Sequence, residues 1–155
     1  MSSPIQKIKI RPATKADHDR LAQIARSHRA GQGFTHFMFS GDAAYEKGWI
    51  RVAVVDGGDM DGDIVGFTCV RHKKREPKTM LYYIIVETWA RRDSKPGVRI
   101  GQALLDDLIA TSPHRCIELS CLKDNAEALQ FYAKNGFEQK GEALKGKGWH
   151  LELRW

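Results

Sequence analysis

The sequence lacks any long apolar run. None of its 155 residues falls in a segment approaching the roughly 20 apolar residues that a membrane-spanning helix requires. The N-terminal residues MSSPIQKIKIR also lack the hydrophobic segment of a secretory signal. We therefore expect a cytoplasmic protein. Its length and 42% hydrophobic content are those of one ordinary domain, which we predict to span residues 1–155.

Cysteine is scarce, and metal-binding patterns are missing. The three cysteines, Cys69, Cys116 and Cys121, are odd in number and show no C-x-x-C spacing, which favours reduced thiols in the core over disulfides or a zinc site. The acidic loop 56–63 resembles a calcium loop only superficially. An EF-hand needs glycine at its sixth position and glutamate at its twelfth. Counted from Asp59 those positions hold Ile64 and Val70, so the sequence predicts an Asp- and Gly-rich hairpin loop and no metal.

Acidic residues are too few to balance the basic ones, and the formal net charge is +6. Such a charge is compatible with nucleic acid, an acidic protein surface or an anionic cofactor as partner. The densest basic run, 72–78, falls where a hairpin turn is expected. It has no interleaved aromatic residues of the kind that bind single strands, so a solvated turn is favoured over a nucleic-acid patch.

The stretch 81–105, LYYIIVETWARRDSKPGVRIGQALL, changes character twice. Tyr82–Val86 is a continuous apolar run that predicts a strand buried on both faces. A basic loop follows, and from Arg99 the apolar residues recur at helical spacing. The N-terminus of this helix would offer unpaired N–H groups and a partial positive charge to an anion.

Elsewhere strands and helices alternate. A helix ending near His28 is expected to bury Leu21, Ile24 and Ala25, while His18 and Arg20 stay largely solvated. A later helix starts at Asp124 or Asn125 and closes at Asn135-Gly136, where glycine suits a helix C-terminus.

Two motifs carry a family resemblance. The segments Val86–Arg91 and Arg99–Leu105 resemble the acetyl-CoA-binding core of the GCN5-related N-acetyltransferases (GNAT), V-x-P-x-x-R/Q-R-x-G-x-G/A before a helix. Thr88 replaces the usual proline, the loop is several residues longer, and Arg99 stands where the first helix-entry glycine normally lies. Downstream, 125–137 resembles the second signature of that family, N-x-x-A-x-x-x-Y-x-x-x-G-F, without a gap.

The resemblance implies a mixed α/β (α+β) fold. It would have a central, mostly antiparallel twisted sheet of about six to seven strands, splayed between the fourth and fifth strands and flanked by about four helices. It also implies acetyl-CoA as cosubstrate, with backbone groups of Ile84, Ile85 and Val86 pairing the pantetheine amides. The remaining implied cofactor-binding residues are Arg91, Arg92, Gly97, Val98, Arg99, Ile100, Gly101, Gln102 and Asn125. His36 and Phe37 become acceptor-pocket candidates, with a plain hydrophobic wall as the alternative.

The implied chemistry is acetyl transfer to a primary amine. A lysine-like amine with a pKa of about 10.4 is mostly protonated at neutral pH, a deficit of roughly 4–5 kcal/mol that a general base would remove. Strand alternation places Glu87 on the face of Ile85 and Tyr83, so it is the candidate base; the alternative is a rim carboxylate paired with an arginine such as Arg91. Tyr132 matches the family tyrosine that protonates the leaving thiolate, with core packing as its alternative.

Other classes stay open at this point. A non-catalytic coenzyme A-binding sensor would not need Tyr132, and a basic nucleic-acid-binding module would need neither motif. A covalent route through Cys121 has no histidine at a fixed spacing to support it. The predicted protein is an acyl-CoA-dependent N-acetyltransferase without a metal, a monomer or homodimer. Its amine acceptor cannot be read from the sequence.

Overall fold

The structure is a computed structural model that describes residues 4–28, 42–95 and 98–155. The described strands are β1 (Ile8–Pro12), β2 (Ile50–Val55), β3 (Ile64–Lys73), β4 (Lys78–Val86), β5 (Cys116–Leu122), β6 (Glu138–Ala143) and β7 (Gly148–Arg154). The described helices are α1 (His18–Arg26), α2 (Ala43–Glu46), α3 (Thr88–Arg92), α4 (Ile100–Thr111) and α5 (Ala126–Lys134). Among them, no helix is both long and apolar enough to cross a membrane.

The seven strands form one sheet in the order β1-β2-β3-β4-β5-β7-β6. Strands β4 and β5 are parallel, with Thr79 opposite Ile117 and Met80 opposite Glu118. The pairs β1–β2, β2–β3, β5–β7 and β6–β7 are antiparallel. This mixed, mostly antiparallel sheet confirms the predicted α/β fold.

The chain divides into two compact units. The first comprises Met1–Cys69 and Tyr83–Thr111, and the second comprises Val70–Tyr82 and Ser112–Trp155. Strands β3 and β4 each contribute to both units. A single domain over 1–155 stays a prediction.

In the first unit, helices cover both faces of the strands. One core cluster joins α1 residues such as Leu21 and Ile24 to the alternate β4 residues Tyr83 and Ile85. The other joins the α4 residues Ile100 and Leu104 to β2 and β3, with Ile84 and Val86 of β4 packed against it. The end of β4 is therefore covered from both sides, as the apolar run predicts.

In the second unit, β7 pairs with β5 from Cys116↔Arg154 to Leu122↔Gly148. Helix α5 begins at Asn125, whose side-chain oxygen accepts a hydrogen bond from the Ala128 N–H at 3.2 Å. It closes at Gly136, whose φ of 90° is the left-handed conformation expected of a glycine just past a helix. Both predicted ends of this helix are confirmed.

Three sequence-based expectations are wrong in detail. Tyr82 is 42% exposed, because the covering of both faces begins only at Tyr83. His18 is buried rather than solvated, and its Nδ1 is hydrogen-bonded to the Tyr45 hydroxyl. The loop expected directly after β4 instead begins with the short helix α3, which contains Arg91 and Arg92.

Candidate functional site

Strand β4 ends beside a glycine that lets two strands approach closely. A Cβ atom at Gly66 of β3 would lie 2.9 Å from the Ile85 carbonyl oxygen and 3.4 Å from the Val86 Cα. The Glu87 N–H still donates to the Val65 carbonyl at 2.8 Å, one residue beyond the end of β4. These contacts fix the backbone of Ile85 and Val86, where pairing with pantetheine is predicted.

Glu87 lies at the junction of β4 and α3, with only 15% of its side chain exposed. Its Oε1 is 3.8 Å from Nη1 of Arg20 on α1. Nη2 of the same arginine donates to the Ile64 carbonyl at 3.0 Å. An arginine therefore faces this carboxylate, and it is Arg20 rather than Arg91. The base role of Glu87 stays a prediction.

Sequence reasoning missed Arg20 because polar residues on α1 were expected to be solvated. The usable signal was its position beside Leu21, since an arginine at the edge of an apolar stripe commonly buries its stem along the core. Its exposed side-chain fraction is 27%.

The two arginines of the predicted phosphate loop lie in α3, and both are exposed. The Arg91 N–H donates to the Glu87 carbonyl at 3.1 Å, so this amide is committed to the helix. Arg92 Nε lies 3.3 Å from the Asp93 carboxylate. Any contribution of this pair to phosphate binding would come from their side chains.

Helix α4 begins against the end of β4. Its first intrahelical bond runs from the Ala103 N–H to the Arg99 carbonyl at 3.0 Å, so the amides of Ile100 and Gly101 lie in the turn that a helix leaves without internal acceptors. A Cβ atom at Gly101 would lie 3.8 Å from Cγ2 of Val86, an ordinary contact. Arg99 is exposed, and Val98 and Gln102 are partly buried. This turn has the geometry of an anion-binding helix N-terminus.

Tyr132 lies on α5 in the second unit, among aromatic rings. Its ring centroid is 5.4 Å from that of Phe131 and 5.2 Å from that of Phe137, both in edge-on arrangements. Burial, with a smaller effect from Cys121, raises the pKa of Tyr132 above its usual range. The hydroxyl is protonated at neutral pH, as a general acid must be, and would be so at an ordinary tyrosine pKa of about 10 as well. Asn125, seven residues earlier, caps the same helix.

Cys121 is a buried thiol on β5. Burial raises its pKa, and Asp124 adds to the effect. Because the thiolate is the nucleophilic form, this environment opposes the covalent route. His36, Phe37 and Gly97 lie outside the described residues.

One cluster in the second unit has metal-type donor atoms. The ligand atoms of Cys116, Glu118 and Glu152 lie within 4.8 Å of one another. Both carboxylates already have cationic partners, since Lys78 Nζ lies 2.7 Å from Glu118 and Arg154 Nε lies 2.5 Å from Glu152. The cluster is therefore a charge-compensated ion-pair network on the strands.

The sequence and the fold were compared with those of known proteins. Residues 19–137 match the Acetyltransferase (GNAT) family. The 5-NmdU N-acetyltransferase of Pseudomonas phage PaMx11 is 38% identical over 149 residues, covering 96% of this chain and 99% of that protein. A GNAT acetyltransferase from Staphylococcus aureus Mu50 superposes with a TM-score of 0.74 at 16% identity, covering 96% and 99% of the two chains. PaiA N-acetyltransferase from Thermoplasma acidophilum, solved with coenzyme A, gives 0.65 at 17% identity, covering 96% and 99%.

The chain therefore belongs to the GNAT acetyltransferase family. It is an N-acetyltransferase that uses acetyl-CoA as cosubstrate and an amine as acceptor. The family predicted from the two motifs is confirmed.

Proposed function

We propose that this enzyme transfers the acetyl group of acetyl-CoA to the amine of 5-NmdU. The observation that carries the proposal is the 38% identity to the phage 5-NmdU N-acetyltransferase over 99% of that protein. The structural neighbours are too distant in sequence to favour any acceptor.

The proposed reaction is direct transfer without a metal. The amine nitrogen attacks the thioester carbonyl carbon to give a tetrahedral intermediate, and the carbon–sulfur bond then breaks. Glu87 takes the amine proton, and Tyr132 gives its proton to the departing thiolate. The position of Glu87 at the end of β4, with only 15% of its side chain exposed, supports its assignment. The place of Tyr132 on α5, seven residues after the Asn125 cap, supports the other.

Acetyl-CoA would be held mainly by backbone groups. Ile84, Ile85 and Val86 would pair with pantetheine through their peptide groups. The pyrophosphate would take the amides at the start of α4, with Arg91, Arg92 and Arg99 supplying charge and Val98 and Gln102 lining the turn. The exposure of the three arginines supports this, since none is enclosed in the core. For Gly97, Asn125, His36 and Phe37 the binding roles rest on the family resemblance alone.

The test is an acceptor panel. Purified enzyme and acetyl-CoA are incubated with free 5-NmdU, 5-NmdU within an oligonucleotide, a polyamine and a lysine peptide, while thiol release and product mass are followed. We expect acetylated 5-NmdU to form fastest. The densest basic run, 72–78, has no interleaved aromatic residues and is interpreted as a solvated turn, so the free form is expected to react at least as well as the oligonucleotide.

Each outcome is decisive. Acetylation of another amine with 5-NmdU inert would overturn the acceptor and leave the enzyme class intact. Binding of coenzyme A without turnover of any amine would instead favour a sensor.

A cytoplasmic location and a monomeric or homodimeric state remain predictions from the sequence.

A further inference from the structure

Ile5, which precedes β1, is hydrogen-bonded to residues 93–95 in the segment that joins α3 to α4. Its N–H donates to the Asp93 carbonyl at 2.8 Å, and its carbonyl accepts from the Lys95 N–H at 2.9 Å. Together these bonds form a parallel bridge between Ile5 and Ser94. The joining segment is therefore paired through its backbone to a residue almost ninety positions earlier in the sequence.

Ile5 is itself firmly anchored. Its side chain is 2% exposed and belongs to the core cluster that contains Ala90 of α3 and Ile100 and Leu104 of α4. The position that carries the two backbone bonds is thus fixed by the same apolar core that seats both helices. The exposed residues on either side, Pro4 and Gln6, have no such anchor.

Further bonds extend this support along the segment. The Ser94 hydroxyl donates to the Ala90 carbonyl at 2.5 Å, which ties the segment to α3. The Val98 N–H donates to the Lys95 carbonyl at 3.1 Å, one residue before Arg99 accepts the first bond of α4. These bonds therefore link Ile5 to residues 93–95, and Lys95 in turn to Val98, two residues before α4 begins.

We propose that Ile5 is a positioning residue for acetyl-CoA, bracing the long α3–α4 connection so that the amides at the start of α4 are preorganised. This inference rests on the proposed pyrophosphate role of that helix start. Without these bonds, residues 93–95 would have to be ordered when the cofactor binds, and ordering backbone costs affinity. The brace raises the affinity for acetyl-CoA and takes no part in proton transfer.

A deletion, a conservative substitution and a matched control test the brace. Deleting residues 1–5 removes both backbone bonds together with the buried Ile5 side chain, and we expect the Kd and KM for acetyl-CoA to rise about tenfold while kcat at saturation stays near the wild-type value. Ile5→Val keeps the bonds and most of the burial and should restore wild-type binding. Lys7→Ala, which removes an exposed ion pair to Asp56 in the same segment, is the matched control.

The results distinguish this proposal from the function on which it rests. If wild type binds acetyl-CoA and the deletion variant binds it equally well, the brace is overturned. If wild type fails to bind, the pyrophosphate site itself is wrong. A deletion that lowers kcat and leaves KM unchanged would also contradict the brace.

A measurement on wild type keeps the proposal testable should the deletion fail to fold. Hydrogen exchange is followed with and without coenzyme A. We expect slower exchange at the amides of Ile5 and Lys95 together with those at the start of α4, because cofactor binding selects the braced connection. Protection at α4 with no change at Ile5 and Lys95 would overturn the coupling.

Discussion

Among single residues, Tyr132 makes the sharpest chemical prediction. Its hydroxyl is protonated at neutral pH, as that of a tyrosine with an ordinary or a raised pKa is. Phenylalanine preserves the ring that packs against Phe131 and Phe137 and removes only the proton donor. Tyr132→Phe should therefore bind acetyl-CoA normally while kcat falls about 10²-fold, the lower end for general acid catalysis, since a thiolate leaves readily.

Calorimetric binding and steady-state rates check this prediction, under conditions where the chemical step limits turnover. An unchanged kcat would leave Tyr132 as a packing residue and give the acid role to water. A loss of affinity equal to the loss of rate would point to a damaged fold.

Glu87 makes a prediction that depends on pH. If its carboxylate removes the amine proton, Glu87→Gln should lose most activity near neutral pH and less at high pH, where more of the acceptor is already neutral. The measurement is the pH profile of kcat/KM from pH 6 to about 10. A loss that is uniform across pH would assign Glu87 a structural role.

The matched control for Glu87 is Asp63→Asn. Arg20 Nε lies 3.7 Å from the Asp63 carboxylate, about as far as its Nη1 lies from Glu87. Both variants thus remove one acidic partner of the same arginine. If the two pH profiles change alike, the effect comes from Arg20 and the base assignment fails.

Among the elements, the approach of β3 to β4 is the tightest packing near the predicted pantetheine contact. Gly66→Ala would place a methyl group 2.9 Å from the Ile85 carbonyl and 3.3 Å from Leu104 Cδ1, so backbone must move. We expect the melting temperature to fall by several degrees and the affinity for acetyl-CoA to fall with it, measured by calorimetry.

Gly101→Ala is the contrasting substitution, because its methyl group meets only Val86 Cγ2 at 3.8 Å. Alanine in a helix should raise the free energy of unfolding by up to about 1 kcal/mol relative to glycine. If Gly101→Ala destabilises the protein as much as Gly66→Ala does, the close spacing of β3 and β4 is not the cause of the destabilisation by Gly66→Ala.

The elements also show what sequence can and cannot predict here. Strand β4, helix α4 and both ends of α5 were predictable because apolar periodicity, an Asn cap and a terminal glycine are local signals. Helix α3 was not predicted, because it is only five residues long and its two arginines were interpreted as part of a phosphate-binding loop. The Arg20–Glu87 pair and the Ile5 brace were not predictable, since each joins residues far apart in the sequence.

At the scale of the whole molecule, a share of the basic residues is paired with acidic residues within the fold. Such pairs occur on helices and strands alike, as in Arg51–Asp107 at 2.6 Å and Lys78–Glu118 at 2.7 Å. They add nothing to the net charge of +6, to which exposed basic residues such as Arg99 and Lys145 contribute. Composition alone left the anionic partner open, and only the motifs identified it as acetyl-CoA.

The stability of the whole molecule should depend on two histidines. Burial lowers the pKa of His18, which is hydrogen-bonded to Tyr45. Burial also lowers the pKa of His72, with a smaller effect from His114, whose ring centroid is 6.3 Å away. His72 Nδ1 lies 2.7 Å from the Thr79 hydroxyl oxygen. Protonation of either ring is therefore less favourable in the folded state than in the unfolded chain.

The sign of the pH effect follows from these depressed pKa values. Above about pH 7 both histidines are neutral in the folded and unfolded states, so their contribution is fully present. As the pH falls through about 6.5, the histidines of the unfolded chain bind protons while those of the folded state stay neutral. The free energy of unfolding therefore falls by up to about 1.4 kcal/mol per pH unit for each histidine. Urea unfolding between pH 8 and about 5 measures this slope. His72→Gln should flatten the slope without abolishing it, because His18 still titrates. A wild-type stability that is independent of pH across this window would contradict the lowered pKa values of both rings.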